Sequence, residues 1–398
     1  MISAHAFPAL EKSFFPQETL LMGAGPVPQP PSVRQANSRI ASHLGERMNE
    51  VIRQIRIMTR YAFQTTTPWI FGLSGPGSAA AEMAIGNLIH SQSKVLAISS
   101  GHFGLRMYEM ARRHQATVTL FEFDGRDAFP LERLRELLKQ QFFHVVTLVH
   151  GETSSTTINP ELAAIAALCK QHGALVVVDA VCTLGTTEVL MDEWQLDVLF
   201  CGGQKGLSSI PGVSLIAFSA EAWGQVVQRT FTPRHWCYDV LLAAEFWHHH
   251  RYHYTAPVNG LFALHEALRL LNAETLSVRI IRHRNSSRGL QHALLQLGLA
   301  LAAPEVTRLN AVVGFFLPAG IASPDLIEHL LVEHKIEISA SFGSPLLRIG
   351  QMGEQCRAEN VFRLVNALAL TLETLGHPVD RVAALESLTL LSEGAMPL

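Results

Sequence analysis

The chain has 398 residues, of which 48 % are hydrophobic and 16 % charged, and its net charge is −3. That length exceeds one ordinary core and predicts two domains. A near-neutral balance without a basic block argues against nucleic acid or an anionic membrane as partner, and no apolar run is long enough to span a bilayer. Charged residues fall well below the usual ~25 %, which points to a large interface between subunits. The opening MISAHAFPALEKSFFPQETLL has no charged start followed by an apolar run, so no signal peptide is read. The cysteines (Cys169, Cys182, Cys201, Cys237, Cys356) form no CxxC pair. Reduced thiols in a cytoplasmic protein are expected.

In chain order, residues 1–25 read as an N-terminal arm that runs into the Gly/Pro turn at 23–28. Ile40, Leu44, Met48, Val51, Ile55 and Met58 then recur at spacings of three and four, predicting a helix over 31–63. The strand WIFGLSG feeds a Gly-rich turn and the helix PGSAAAEMAIGNLI. Free N–H groups at such a helix start make an anion site, and Gly75 and Gly77 let a phosphate approach closely. GPGSAA also matches a dinucleotide fingerprint. That fingerprint wants an acid ending the next strand, and KVLAISSGHFG has none, which weakens a nicotinamide-dehydrogenase reading. Strands and helices alternate from there to GVSLIAFS, predicting a largely parallel sheet with helices on both faces. The polar residues gather at strand ends: Ser74, residues 99–102, residues 153–156, Asp179 and residues 204–205.

Residues 174–206 carry the chemistry. ALVVVDAV delivers Asp179 at the end of a buried-looking strand, and DVLFCGGQKG delivers Lys205 in a short glycine-rich loop with apolar walls. Ligands of open α/β sheets sit outside the carboxyl ends of the strands. A desolvated lysine there has a depressed pKa and serves as nucleophile and base. With the phosphate turn, the pair suits pyridoxal 5'-phosphate (PLP), whose ring needs an anionic partner and whose aldehyde needs an amine. The histidines at 248–250 and His253 have no carboxylate or cysteine at ligand spacing, so no metal is expected. Beyond residue 220 the alternation stops. Two helices, near 259–271 and 276–297, lead into a smaller α+β unit, and the periodicity after 378 allows one more helix.

Taken together, GAGPVP, SGPGSAAAE, SSGHFG, HGETSSTT, VVVDAVCTLG, GGQKG, RYHYTAPV and LLRIGQMG resemble the class V (fold-type I) PLP-dependent aminotransferases, close to the alanine–glyoxylate and serine–pyruvate branch. The resemblance covers about 20–375. It implies an α/β fold: a large PLP-binding domain (26–258) with a mostly parallel seven-stranded sheet, a smaller C-terminal α+β domain (259–378) and a tail (379–398). By the same resemblance Lys205 bonds the cofactor aldehyde and shuttles a proton, and Asp179 pairs with the pyridine nitrogen. Phe103 and Val181 pack on the two ring faces, Thr153 lies near the ring hydroxyl, and Gly77, Ser78 and Gln204 hold the phosphate. Tyr252 and Thr255 join them from the neighbouring subunit of a homodimer, Arg348 clamps the substrate carboxylate, and the Gly25 backbone closes the pocket. SGPGS stands where that branch carries SGSGH, so Pro76 and Ser78 replace a serine and a histidine. The segment ISASFGSPLLR has no cysteine, which sets a desulfurase aside. The expected activity is ping-pong transfer from alanine or serine to glyoxylate or pyruvate. Alternatives are an (S)-ureidoglycine–glyoxylate aminotransferase, another specialised class V transaminase, or a PLP-binding protein without transaminase activity.

Overall fold

The computed structural model describes residues 18–392; positions 1–17 of the expected arm and 393–398 of the expected tail lie outside the described residues. Seven strands form the large sheet: β1 (Ile70–Ser74), β2 (Lys94–Ser99), β3 (Thr117–Glu122), β4 (Val145–Val149), β5 (Leu175–Asp179), β6 (Val198–Gly202) and β7 (Val213–Phe218). Their spatial order is β1-β7-β6-β5-β4-β2-β3. β7 runs antiparallel to both neighbours, and the other pairings are parallel. The mostly parallel seven-stranded sheet is thus the one expected. β4, β6 and β7 are buried at every position, which is why their sequences are continuous apolar runs: both faces are covered. Phe71, Phe200 and Phe218 are fully enclosed, each contributing about 1.5–3 kcal/mol by burial.

Register then positions the chemistry. Asp179 lies opposite Val149 on one side and Phe200 on the other. The carboxylate therefore emerges at the sheet rim beside the ends of β4 and β6, and Lys205 follows β6 by three residues.

The single helix expected over 31–63 is two helices, Pro31–Asn37 and Glu46–Phe63. Gly45, in extended conformation, is the N-cap of the second, as suits a residue costly inside a helix. Met48, Ile52, Ile55 and Phe63 are buried, whereas Ile40 is 84 % and Leu44 43 % exposed. Their apolar spacing does not serve this chain's own core.

Leu261, Leu264, Leu268 and Leu271 of the helix Val258–Glu274 join the larger core. Leu290 and Leu294 of the next helix, Leu276–Gln296, join a second core. Core membership therefore changes one helix after the expected boundary at 258/259. The second core lies against an antiparallel sheet of β8 (Ala300–Leu301), β9 (Val312–Phe316), β10 (Ser339–Ser341) and β11 (Ser344–Gly350), ordered β8-β9-β11-β10. Helices Ser323–His334, Ala358–Thr374 and Arg381–Ser392 complete this unit, the last being the helix expected in the tail. The described end of the arm stays with its own chain: Leu20–Leu21 pairs in parallel with Ile336–Glu337, and Met22 is buried in the second core. Among the described residues no helix is long and apolar enough to cross a membrane.

Candidate active site

The site lies where the ends of β4, β5 and β6 meet the start of the helix Gly77–Leu88. A Cβ at Gly77 would come within 2.6 Å of Val181 Cγ2, so only a glycine lets the helix start close onto the loop that follows β5. Asp179 Oδ1 accepts a hydrogen bond from the Val181 amide at 2.8 Å, which fixes the carboxylate at the rim. Burial raises the Asp179 pKa to about 7, Glu152 adds to the rise, and Arg106 and Lys205 oppose it.

Lys205 reaches back across the chain. Its Nζ donates to the Ala24 carbonyl, and Gly25, at φ +96°, passes so close that a Cβ there would sit 2.6 Å from Nζ. The Gly/Pro turn after the arm is therefore one wall of the lysine's pocket. Burial pushes the Lys205 pKa below the ordinary lysine value; Arg348 and Arg106 push the same way, and Asp179 opposes them.

Phe103 is placed by a residue the sequence reading did not single out. Glu152 is 1 % exposed, and its Oε2 accepts from the amides of Phe103 at 3.0 Å and Gly104 at 3.3 Å. Oε1 takes the Ser154 amide and hydroxyl. A carboxylate at the positive end of the helix His102–Arg113 is held by the helix dipole and free amides, and it locks the residue that presents the aromatic ring. Arg106, also not singled out, donates to Ser78 Oγ at 2.7 Å, and its guanidinium lies 4.6 Å from the Phe103 ring centroid.

Arg348 enters from β11, paired with Gly314 and Ser339 on its neighbours. Nη1 donates to the Thr153 carbonyl at 3.0 Å and Nη2 to the Ala340 carbonyl, while the buried Nε has no partner. Phe342, at the tip of the β10–β11 hairpin, lies 5.3 Å from the Arg348 guanidinium and stacks on His102 with centroids 4.4 Å apart. Ser341 Oγ donates to the Ser154 carbonyl at 2.6 Å, tying that hairpin to the large domain.

Contacts thus join Gly77, Val181 and Asp179; Ser78, Arg106, Phe103 and Glu152; Lys205 and Gly25; and Thr153 and Arg348. Gln204 sits next to Lys205, its backbone carbonyl accepting from Val27 at 3.1 Å and its buried Oε1 unpartnered. Tyr252 and Thr255 are not gathered in: both are exposed, Tyr252 by 62 %, with its ring beside His43. The residues suit PLP. A lysine of depressed pKa, a carboxylate at the adjacent strand end, a glycine-opened helix start and the unpartnered Gln204 Oε1 and Arg348 Nε are polar groups arranged for a ligand rather than for one another.

A family model described as "Aminotransferase class-V" matches residues 32–362. The chain is a class V aminotransferase. Alanine–glyoxylate aminotransferase from Oryctolagus cuniculus is 34 % identical over 374 residues, 92 % of this chain and 95 % of its own. (S)-Ureidoglycine–glyoxylate transaminase from Bacillus subtilis is 30 % identical, covering 88 % of this chain and 90 % of its own. Among solved structures, ureidoglycine–glyoxylate aminotransferase from Bacillus subtilis superposes with a TM-score of 0.93 at 29 % identity, covering 96 % of this chain and all of that one. Alanine–glyoxylate aminotransferase from Nostoc sp. gives 0.87 at 33 % identity, covering 91 % of this chain and 98 % of that one. The class V aminotransferase is therefore an enzyme, a transaminase of fold-type I, and its family implies PLP as cofactor.

Proposed function

We propose that this aminotransferase moves an amino group from a small amino acid, alanine or serine, to glyoxylate or pyruvate, with PLP held at Lys205. When bound, PLP supplies an aldehyde that takes up amino groups and a ring that accepts electrons from the substrate Cα. The chain's residues do the rest. Lys205 Nζ, whose pKa burial lowers, would take the Cα proton as general base, and Asp179 would hold the proton on the pyridine nitrogen. Phe103 and Val181 would bracket the ring, Thr153 would face its hydroxyl, and Gly77, Ser78 and Gln204 would hold the phosphate. The Gly25 backbone limits the lysine side of the pocket.

Arg348 is the observation that carries the substrate reading. Two of its nitrogens are spent on the Thr153 and Ala340 carbonyls, so the guanidinium is held rigid beside Phe342, where it meets one carboxylate. His102 and Phe342, stacked on each other beside the Arg348 guanidinium, support small substrates, because extra bulk next to the arginine would have to part them. A homodimer is part of the reading: the exposed Tyr252 and Thr255, with Ile40 and Leu44 also uncovered, are supplied to and covered by a neighbouring subunit. Cysteines that are free, four of them buried, support a cytoplasmic setting.

A donor–acceptor panel tests this. Alanine or serine with glyoxylate or pyruvate is expected to exceed aspartate and glutamate in kcat/KM by about 10²-fold, the cost of a second carboxylate left unpaired. A preference for the dicarboxylic donors would overturn the reading. The ureidoglycine–glyoxylate relatives in sequence and structure keep one second reading open, and ureidoglycine outrunning alanine and serine in the same panel would select it.

A further inference from the structure

We infer that Arg106 is the counter-charge of the cofactor phosphate in this chain, acting with and through the Ser78 hydroxyl. The inference rests on the PLP reading above but goes beyond it, since that reading gives the phosphate Gly77, Ser78 and Gln204, with Tyr252 and Thr255 of a neighbouring subunit, and no cation. Arg106 lies one turn into the helix His102–Arg113. One terminal nitrogen donates to Ser78 Oγ at 2.7 Å, the other lies 3.3 Å from His102 Nε2, and the guanidinium rests 4.6 Å from the Phe103 centroid. No carboxylate stands within ion-pair distance of it among the described residues.

Three physical points converge on an anion. First, a serine hydroxyl has one proton to give. Because Ser78 Oγ accepts from Arg106, that proton is free to be donated outward from the first turn of the helix Gly77–Leu88, alongside the free amides there. Second, a phosphate monoester carries about −1.5 to −2 charges at neutral pH, whereas a helix N-terminus offers only about half a positive charge. Lys205 is committed to the aldehyde and Arg348 to the substrate, so within the contact network Arg106 is the cation left to balance the phosphate. Third, the guanidinium influences both Asp179 and Lys205, lowering the pKa of each; its charge reaches the centre of the site.

The test compares PLP with pyridoxal, which has the same ring and aldehyde but no phosphate. Both are titrated into cofactor-free protein and followed by absorbance. Arg106→Gln is expected to weaken PLP about 10- to 100-fold, the scale of a charge-assisted hydrogen bond, while pyridoxal affinity changes less than about twofold. Unchanged PLP affinity, or equal losses for PLP and pyridoxal, would overturn the inference; equal losses would assign Arg106 to holding the Phe103 ring instead. Wild-type protein that takes up no PLP would instead sink the functional reading itself. Circular dichroism checks folding. If Arg106→Gln does not fold, Arg106→Met decides: PLP weakened about 10-fold or more with pyridoxal moved less than about twofold supports the assignment, and both bound as in wild type overturns it.

Discussion

Replacing Lys205 with alanine is expected to lower transaminase turnover by about 10⁴-fold while the protein still folds. The site offers no second amine in the contacts around Asp179: Arg106 and Arg348 are guanidiniums that stay protonated, and Cys182 is a buried thiol pushed far above its ordinary pKa by burial. A positioned general base contributes about 10²–10⁴-fold, and Lys205 also supplies covalent attachment, so both terms are lost together. The structural cost is small by comparison. Nζ makes one hydrogen bond, to the Ala24 carbonyl, worth about 1 kcal/mol, and its loss is offset by no longer burying an ammonium against Arg348 and Arg106. Steady-state rates and circular dichroism on the variant check both halves. Turnover within tenfold of wild type would contradict the role.

Asp179→Asn is expected to cost about 10²–10³-fold in turnover and, in the cofactor-free protein, to raise stability. The catalytic loss follows from removing the carboxylate proposed to face the ring nitrogen, a charge whose stabilisation in a dry site is worth that much. The stability gain follows from linkage. The folded-state pKa of Asp179 is raised from 3.8 to about 7, with burial as the first cause. A raised acid pKa means that the folded protein binds the proton more tightly than the unfolded chain, so stability falls as pH climbs from about 4 and is lowest above about 7. Asparagine does not pay that penalty. At pH 8 the gain is on the order of 1–4 kcal/mol, and it shrinks as pH is lowered toward 4. Urea unfolding of cofactor-free wild type and variant at pH 8 and pH 5 checks the sign. A variant less stable than wild type at pH 8 would refute it. Function is thus bought with stability at this position.

Much of this was legible because burial and chemistry collide at strand ends. β5 and β6 are apolar runs that break off at Asp179 and at Gly202, just before Lys205, and no packing requirement explains a carboxylate and a lysine there. Gly25 and Gly77 were legible as turn glycines, although the partner each approaches, Lys205 and Val181, emerges only from the fold. Glu152 and Arg106 were harder. Glu152 acts on amides 48 and 49 positions earlier in the chain, and Arg106 on a hydroxyl 28 positions earlier; such side-chain contacts leave no periodicity to read. A buried acid inside HGETSS was the available signal for Glu152. The helix expected over 31–63 failed for a different reason. Ile40 and Leu44 keep helical spacing with the buried Met48, Ile52 and Ile55 but remain exposed, so apolar periodicity registered a surface this chain does not bury by itself. The same limit applies to Tyr252 and Thr255, whose motif is clear and whose place in a single chain is the surface.

The central proposal is the bond between Lys205 and the cofactor aldehyde. Loading the protein with PLP, reducing it with borohydride and mapping its peptides by mass puts that bond to the test. The prediction is a single pyridoxyl adduct on the peptide carrying Lys205, with the yellow colour lost. An adduct on any other lysine, or a colourless protein that takes up no adduct, would contradict it.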